Sequence, residues 1–397
     1  MTDPLGQSQV IPYLKGLSAL GHQISILSCE KRFRYEKESK EIEILLKANN
    51  IKWFPIFYTS SPPVVSTLKD VWNLKRKSKE ICKNEGIEAV HCRSYISALV
   101  GQALKNEINT KFIFDMRGFW ADERVDGNIW NLKNPLFSII YKYFKRKERE
   151  FLTEADAVIS LTNNAKLEIH SWKGFENVPI TVIPCCADLE FFSYKNISKN
   201  EVSNLRTELG IKQDDFVLSY LGSLGTWYML DEMLDFFIIL KDKIKNAKFL
   251  FITADEPNLV INSAKQKGID INNLIIRRAK RNEVPIFASL SSVSLFFILP
   301  KYSKKASSPT KMGELMSLGI PIICNNKVGD VSEILNDGGV GTAINNFTTS
   351  QYQLVVNEID VFLEKPPNLN SDVAQKYYSL KEGIEKYNKV YQKIAYS

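Results

Sequence analysis

The chain has 397 residues, 44% of them hydrophobic and 24% charged, which is enough for two globular domains with separate cores. No apolar run approaches the ~18 residues of a membrane span. Six cysteines without CxxC or metal spacing and only three histidines argue for reduced thiols and against a metal site. The net charge of +7 suits anionic ligands or an anionic membrane surface, but neither an RNA-binding nor a zinc-finger signature accompanies it.

Short apolar runs alternate with amphipathic stretches throughout, the pattern of doubly wound α/β domains. Asp3 to Gln9, with Gly6, Gln7 and Gln9, reads as a loop. Val10, Ile11, Leu14, Leu17 and Leu20 then keep helical spacing up to Gly21. A Rossmann-like domain opens on a strand ahead of such a loop, so a strand of roughly ten residues with its lead-in is expected before the residue numbered 1. No signal sequence is visible in the residues given, which predicts a cytoplasmic protein.

Strands are expected at Gln23–Cys29, Ile51–Phe54 and Ala89–Arg93, where His91 is either a binding side chain or a satisfied strand-end histidine. The stretch Phe112 to Arg124 ends a strand at Asp115 or Met116 and releases Arg117, Asp122 and Glu123 into a loop. Ligands of open α/β sheets bind at such carboxyl ends. Asp115, Arg117, Asp122 and Glu123 are therefore candidates for substrate contact or proton transfer, the alternative being an ion pair between Arg117 and a carboxylate. Tyr141–Leu152 is a basic helix bearing Tyr143, Phe144 and Phe151, suited to anionic lipid or else a solvated face paired to Glu148 and Glu150.

In the second half, Phe216–Tyr228 feeds a strand into a turn with Gly222, Ser223 and Gly225. Strands follow at Phe249–Thr253, Leu274–Arg277 and up to Leu299. The most informative stretch is Ser307 to Pro321. Ser308 suits an N-cap and Pro309 the first helical position, with Thr310 and Lys311 in the first turn and Gly319 as the stop. Such a helix start offers free amides and partial positive charge to phosphate, and Lys311 adds a full charge. Glu314, one turn on, suits hydroxyls such as a ribose diol. Phosphate plus diol points to a nucleotide; the alternative is an ordinary capped helix with surface charges. Arg278 and Lys304 are possible helper cations.

These segments resemble the family 4 glycosyltransferases of the GT-B fold. Glu314 matches the second Glu of the family's E-x7-E pattern, Gly319 and Pro321 match its G-x-P end, and Ala306 stands where the first Glu would fall. Val182 to Phe192 is similar to the family's interdomain hinge. The resemblance implies an α/β protein of two Rossmann-like doubly wound domains facing a cleft, with a C-terminal helix crossing back to the N-terminal domain. It implies an acceptor-binding domain at 1–187 lacking its first strand, a nucleotide-sugar domain at 188–375, and the returning helix at 376–397. The expected activity is transfer of a sugar from a nucleotide sugar to a hydroxyl of a glycan or lipid-linked acceptor. It is expected to be retaining and metal-independent, to use no cofactor beyond the donor, and to serve cell-surface polysaccharide synthesis, with peripheral membrane contact and no nucleic acid partner. With the resemblance, Gly6, Gly222, Ser223, Gly225 and Ser308–Lys311 with Glu314 are expected on the donor, helped by Arg278, and Gln7, Gln9, Arg117 and Asp122 on the acceptor, with His91 as a further candidate there. Lys311, Glu314, Asp115, Arg117 and Glu123 are the expected catalytic groups. A nucleotide-sugar epimerase of the same architecture and a non-catalytic binding subunit are the alternatives.

Overall fold

The computed structural model describes residues 1–59, 61 and 65–395. It divides into two compact α/β units, Met1–Cys186 together with Leu380–Ser397, and Ala187–Ser379. Among the described residues no helix is long and apolar enough to cross a membrane.

In the first unit, β1 (Ile24–Glu30) and β2 (Ile51–Phe57) pair in parallel. A second parallel ladder runs β3 (Ala89–Arg93), β4 (Lys111–Asp115), β5 (Ala157–Ser160) and β6 (Ile180–Val182). Among the described residues no strand pairing joins the two ladders. The helix Tyr95–Ile108 connects β3 to β4, and Gly101 lets it close on Cys92 and Phe112, where any side chain would collide. The last helix, Leu380–Ala395, belongs to this unit. Its Tyr387, Val390 and Ile394 recur at helical spacing and are buried with Tyr13, Leu17, Ile113, Ile159 and Ile183. Tyr13 and Tyr387 meet edge to face at 5.4 Å, a favoured aromatic geometry.

The loop expected over Asp3–Gln9 is instead a short helix, Pro4–Gln9. Asp3 accepts from the Leu5 amide at 3.2 Å and Pro4 takes the first helical position, so the Asp-Pro pair is itself a helix-start signal. The helical spacing seen from Val10 onward becomes the helix Ile11–Ala19, and Gly21 ends it at a φ of +95°.

The second unit is one parallel sheet of β7 (Val217–Leu221), β8 (Lys248–Ile252), β9 (Leu274–Arg277), β10 (Val293–Leu295), β11 (Ile322–Asn325) and β12 (Gly341–Ile344). Their spatial order is β12-β11-β10-β7-β8-β9. All five residues of β7 are buried, as a central strand covered by helices on both faces requires. The chain builds outward from β7 to β9 and then returns to the other side of β7 as β10. That reversal makes β7/β10 the switch point, where doubly wound sheets bind ligands. The strand expected up to Leu299 stops at Leu295. Beyond it the Asn325 side chain takes both the N–H and the C=O of Ile298, at 2.8 and 2.9 Å, in place of a neighbouring strand.

Candidate active site

The helix Thr310–Ser317 follows β10 and is anchored from below. Met312, Leu315 and Met316 lie in the core, and a Cβ on Gly313 would come within 2.6 Å of Tyr378, so the helix sits tightly on Pro367–Tyr378. Its N-cap is Pro309, one residue later than the expected Ser308, and no side chain caps it. Proline at this place has no side-chain oxygen for the first-turn amides, and its carbonyl accepts from Met312, at 3.0 Å. The amides of Thr310 and Lys311 therefore start a helix with no side-chain cap, as an anion site requires.

Lys311 does not extend into solvent. Its ammonium lies 3.9 Å from the centre of the Tyr228 ring, 4.5 Å from Tyr220 and 5.5 Å from Phe296. Tyr220 is in β7 and Phe296 directly follows β10, so the cage stands at the switch point. Burial among the rings pulls the ammonium down to about 7, opposed by the Glu314 carboxylate. Gly222, at a φ of +120°, forms the roof, because a Cβ there would be 3.0 Å from Nζ. Glycine is needed twice over, for its backbone conformation and for the approach of the lysine. Ser223 and Gly225 are exposed in the same turn. Asp255 accepts from the Leu224 amide and Tyr220 donates to the Ser223 carbonyl, which fixes the loop.

Glu314 is 6% exposed, and its Oε1 is 2.7 Å from Nη1 of Arg281. The Arg281 guanidinium stacks on Phe192 at 4.6 Å while remaining half in solvent. A nearly buried carboxylate with one exposed cationic partner can exchange that partner for a diol at little cost. Arg278 donates to the Ala254 carbonyl at 2.6 Å, and Lys304 packs 3.5 Å over the Trp227 ring. Arg281, Tyr220 and Phe296 escaped sequence reasoning. The ring residues lie 91 and 15 positions from Lys311, and only the fold brings them to it.

In the first unit, Asp115 ends β4 opposite Arg93, which ends β3. Asp115 is 1% exposed; its Oδ2 accepts from Tyr387 at 3.0 Å and lies 3.3 Å from His91 Nε2 and 3.8 Å from Arg117 Nη1. Burial alone would raise its carboxyl, but Arg117, His91 and Arg93 bring it down to about 2. That suits a fixed charge better than a proton acceptor working near neutrality. His91 also bonds the Tyr391 hydroxyl at 2.7 Å and is thus satisfied within the unit. Arg117 reaches Cys185 Sγ at 3.0 Å, and Arg93 donates to the Gln9 carbonyl at 2.6 Å. Gln9 is buried and bonds the Cys186 carbonyl at 3.2 Å.

The remaining candidates, Gly6 for the donor, Gln7 and Asp122 for the acceptor and Glu123 for catalysis, fall elsewhere. Gln7 pairs with Glu38 on the surface at 2.7 Å, and Gly6 packs against Met1 at the start of the chain. Asp122 accepts from Tyr141 and Lys145, both at 2.8 Å, and Lys145 in turn pairs with Glu148, which also accepts from the buried Tyr95. That chain ties Trp120–Asp126, which contains Glu123, to the helix Pro135–Glu154. Four of the basic residues in that helix are occupied within the unit. Lys145, Arg146 and Lys147 pair with its own carboxylates, and Arg149 stacks on Trp172.

Two family models match the sequence: Glycosyltransferase Family 4 over residues 8–191 and Glycosyl transferases group 1 over residues 201–379. No curated protein matches it by sequence. By structure the chain is similar to a glycosyltransferase from Rickettsia africae, at TM-score 0.72 and 15% identity, covering 99% of this chain and 96% of that one. It is also similar to Anabaena HepE in complex with UDP, at TM-score 0.68 and 13% identity over 96% of each chain. WaaG, a glycosyltransferase involved in lipopolysaccharide biosynthesis, superposes at TM-score 0.63 and 15% identity, over 94% of this chain and 93% of that one. At such identities the structural likeness establishes the fold, and the two family models, one on each unit, add the chemistry. The chain is a GT-B glycosyltransferase like those of family 4.

Proposed function

We propose that the second unit binds a nucleotide-sugar donor at its β7/β10 switch point and that the sugar passes to a hydroxyl of a glycan or lipid-linked acceptor with its anomeric configuration retained. The observation that carries this reading is the caged Lys311 ammonium beneath Gly222, one helical turn from Glu314. A charge held among aromatic rings without a direct carboxylate contact is costly to the folded protein and is explained by an anionic ligand. The diphosphate lies against the amides of the Thr310 helix and the Gly222–Ser223 turn, with Lys311 as its cation. Glu314 takes the ribose hydroxyls as Arg281 gives way. As the glycosidic bond loosens, charge grows on the leaving diphosphate, and fixed dipoles with Lys311 stabilise that state more than the ground state. This arrangement needs no metal for charge neutralisation. The UDP in the Anabaena neighbour makes uridine donors the first to try.

A second observation favours an acceptor at a membrane, as in cell-surface polysaccharide synthesis. Ile129, Leu132, Leu136 and Ile139 are exposed by 53, 39, 49 and 66% along one loop and the helix after it, beside Lys133 and Lys142. Apolar side chains flanked by lysines suit the surface of an anionic bilayer. Incubating the protein with labelled UDP-, GDP- and dTDP-sugars and a membrane lipid extract tests the activity. Label appearing in lipid or glycan supports transfer. Interconversion within the nucleotide pool, or binding without turnover, replaces it with the epimerase or the binding subunit.

A further inference from the structure

Arg93 and Arg117 stand together at the carboxyl ends of β3 and β4 with one carboxylate, Asp115, between them. Arg117 lies 3.8 Å from that carboxylate, and Arg93 makes no ion pair among the described residues. Burial and the neighbouring Arg117 both work against the charge on Arg93. Two arginines and one aspartate leave an excess positive charge in a half-buried place, and the same place holds the start of the 14-residue helix Tyr95–Ile108. Ser94, its N-cap, makes no side-chain cap, so the helix adds partial positive charge.

The backbone is strained on both sides of this spot. Ser94 has φ 73° and ψ 178°, a region otherwise left to glycine, and Arg117 has φ 58°. Two acceptor atoms nearby have no partner, Oδ1 of Asp115 and Oε1 of Gln9, on side chains 1% and 4% exposed. Buried acceptors of this kind require donors, and sugar hydroxyls supply them.

We infer that Arg93 and Arg117 form a seat for an oxyanion on the acceptor, a phosphate or carboxylate carried by a sugar whose hydroxyls bond Asp115 and Gln9. Arg93 and Arg117 would clamp the anion as charge-assisted donors, with the start of the Tyr95 helix behind them. Calling the ligand an acceptor rests on the proposed transferase activity; the anion seat itself does not.

The test is calorimetric titration of the full chain with glucose 6-phosphate, glucuronate and glucose, with and without UDP. At least one anionic sugar should bind roughly tenfold or more tighter than glucose, and which of the two does so identifies the group. UDP should leave that binding in place. Arg93→Gln and Arg117→Gln should each abolish the preference without changing UDP affinity, whereas Arg93→Lys should retain part of it. If the glutamine variants do not fold, salt decides in the wild type, because the anionic sugar's advantage should shrink as sodium chloride is raised while glucose binding stays constant. Equal binding of all three sugars, no binding at millimolar concentration, displacement by UDP, or a preference that survives both glutamine substitutions overturns the inference. Loss of sugar transfer from every nucleotide donor would remove the transferase reading and leave this seat standing.

Discussion

Replacing Lys311 with methionine, a neutral side chain of similar length, should stabilise the second unit in mildly acidic solution while removing donor binding. The fall of the ammonium from 10.5 to about 7 corresponds to a charging cost of roughly 5 kcal/mol in the ring cage. A gain of up to about 5 kcal/mol is therefore expected for Lys311→Met at pH 6, or roughly 10–20 °C in the melting temperature of a unit of this size, falling to about 2 kcal/mol at pH 9. The folded state holds this proton less tightly than the unfolded state. Between pH 7 and 10.5 the unfolded chain therefore binds more protons, and wild-type stability rises with pH across that window. The advantage of the methionine variant should accordingly be full below pH 7 and shrink as the pH is raised. Calorimetric scans of both proteins at pH 6 and 9 measure this. A Lys311→Met protein that melts below wild type at pH 6, or above it by the same margin at both pH values, would mean that the cage does not penalise the ammonium.

The same lysine makes donor binding proton-linked: affinity for UDP should fall as the pH rises through about 7, with net proton uptake visible when titrations are repeated in buffers of different ionisation enthalpy. Glu314→Gln should cost about 2–4 kcal/mol of transition-state stabilisation, read from kcat/KM, and should weaken UDP more than 2′-deoxy-UDP. Lys145→Ala leaves the buried Glu148 without its cation and should lower stability by about 3–5 kcal/mol while the KM for donor stays unchanged, which chemical denaturation alongside kinetics checks. Vesicles containing phosphatidylglycerol should bring the protein down on co-sedimentation, and Ile139→Glu with Leu136→Glu should keep it in the supernatant at unchanged melting temperature.

Periodicity and turn chemistry made the second unit readable almost strand by strand. Parallel strands buried on both faces appear as continuous apolar runs, so Val217–Leu221 and Lys248–Ile252 declare themselves. The N-terminal residues misled because Gly6 and the polar residues around it suggest a loop, while the stronger Asp3-Pro4 start signal makes a helix. The identity of the site helix was legible from Pro309 and Gly319, but the surroundings of its lysine were not. Tyr220 and Tyr228 read as ordinary strand and loop aromatics until the sheet order sets β7 beside β10. Arg93 is illegible in the sequence for a related reason. A single arginine at a strand end carries no signal, and only its register with Asp115 shows two cations meeting over one carboxylate.

A crystal structure of the protein soaked with UDP shows directly whether the Lys311 cage is the diphosphate site. The pyrophosphate should lie against the first-turn amides of Thr310–Ser317 and the Lys311 ammonium, with the ribose hydroxyls on Glu314 and Arg281 displaced from it. Nucleotide bound away from the β7/β10 switch point, or an Arg281–Glu314 pair left intact beside an unengaged Lys311, would contradict that placement.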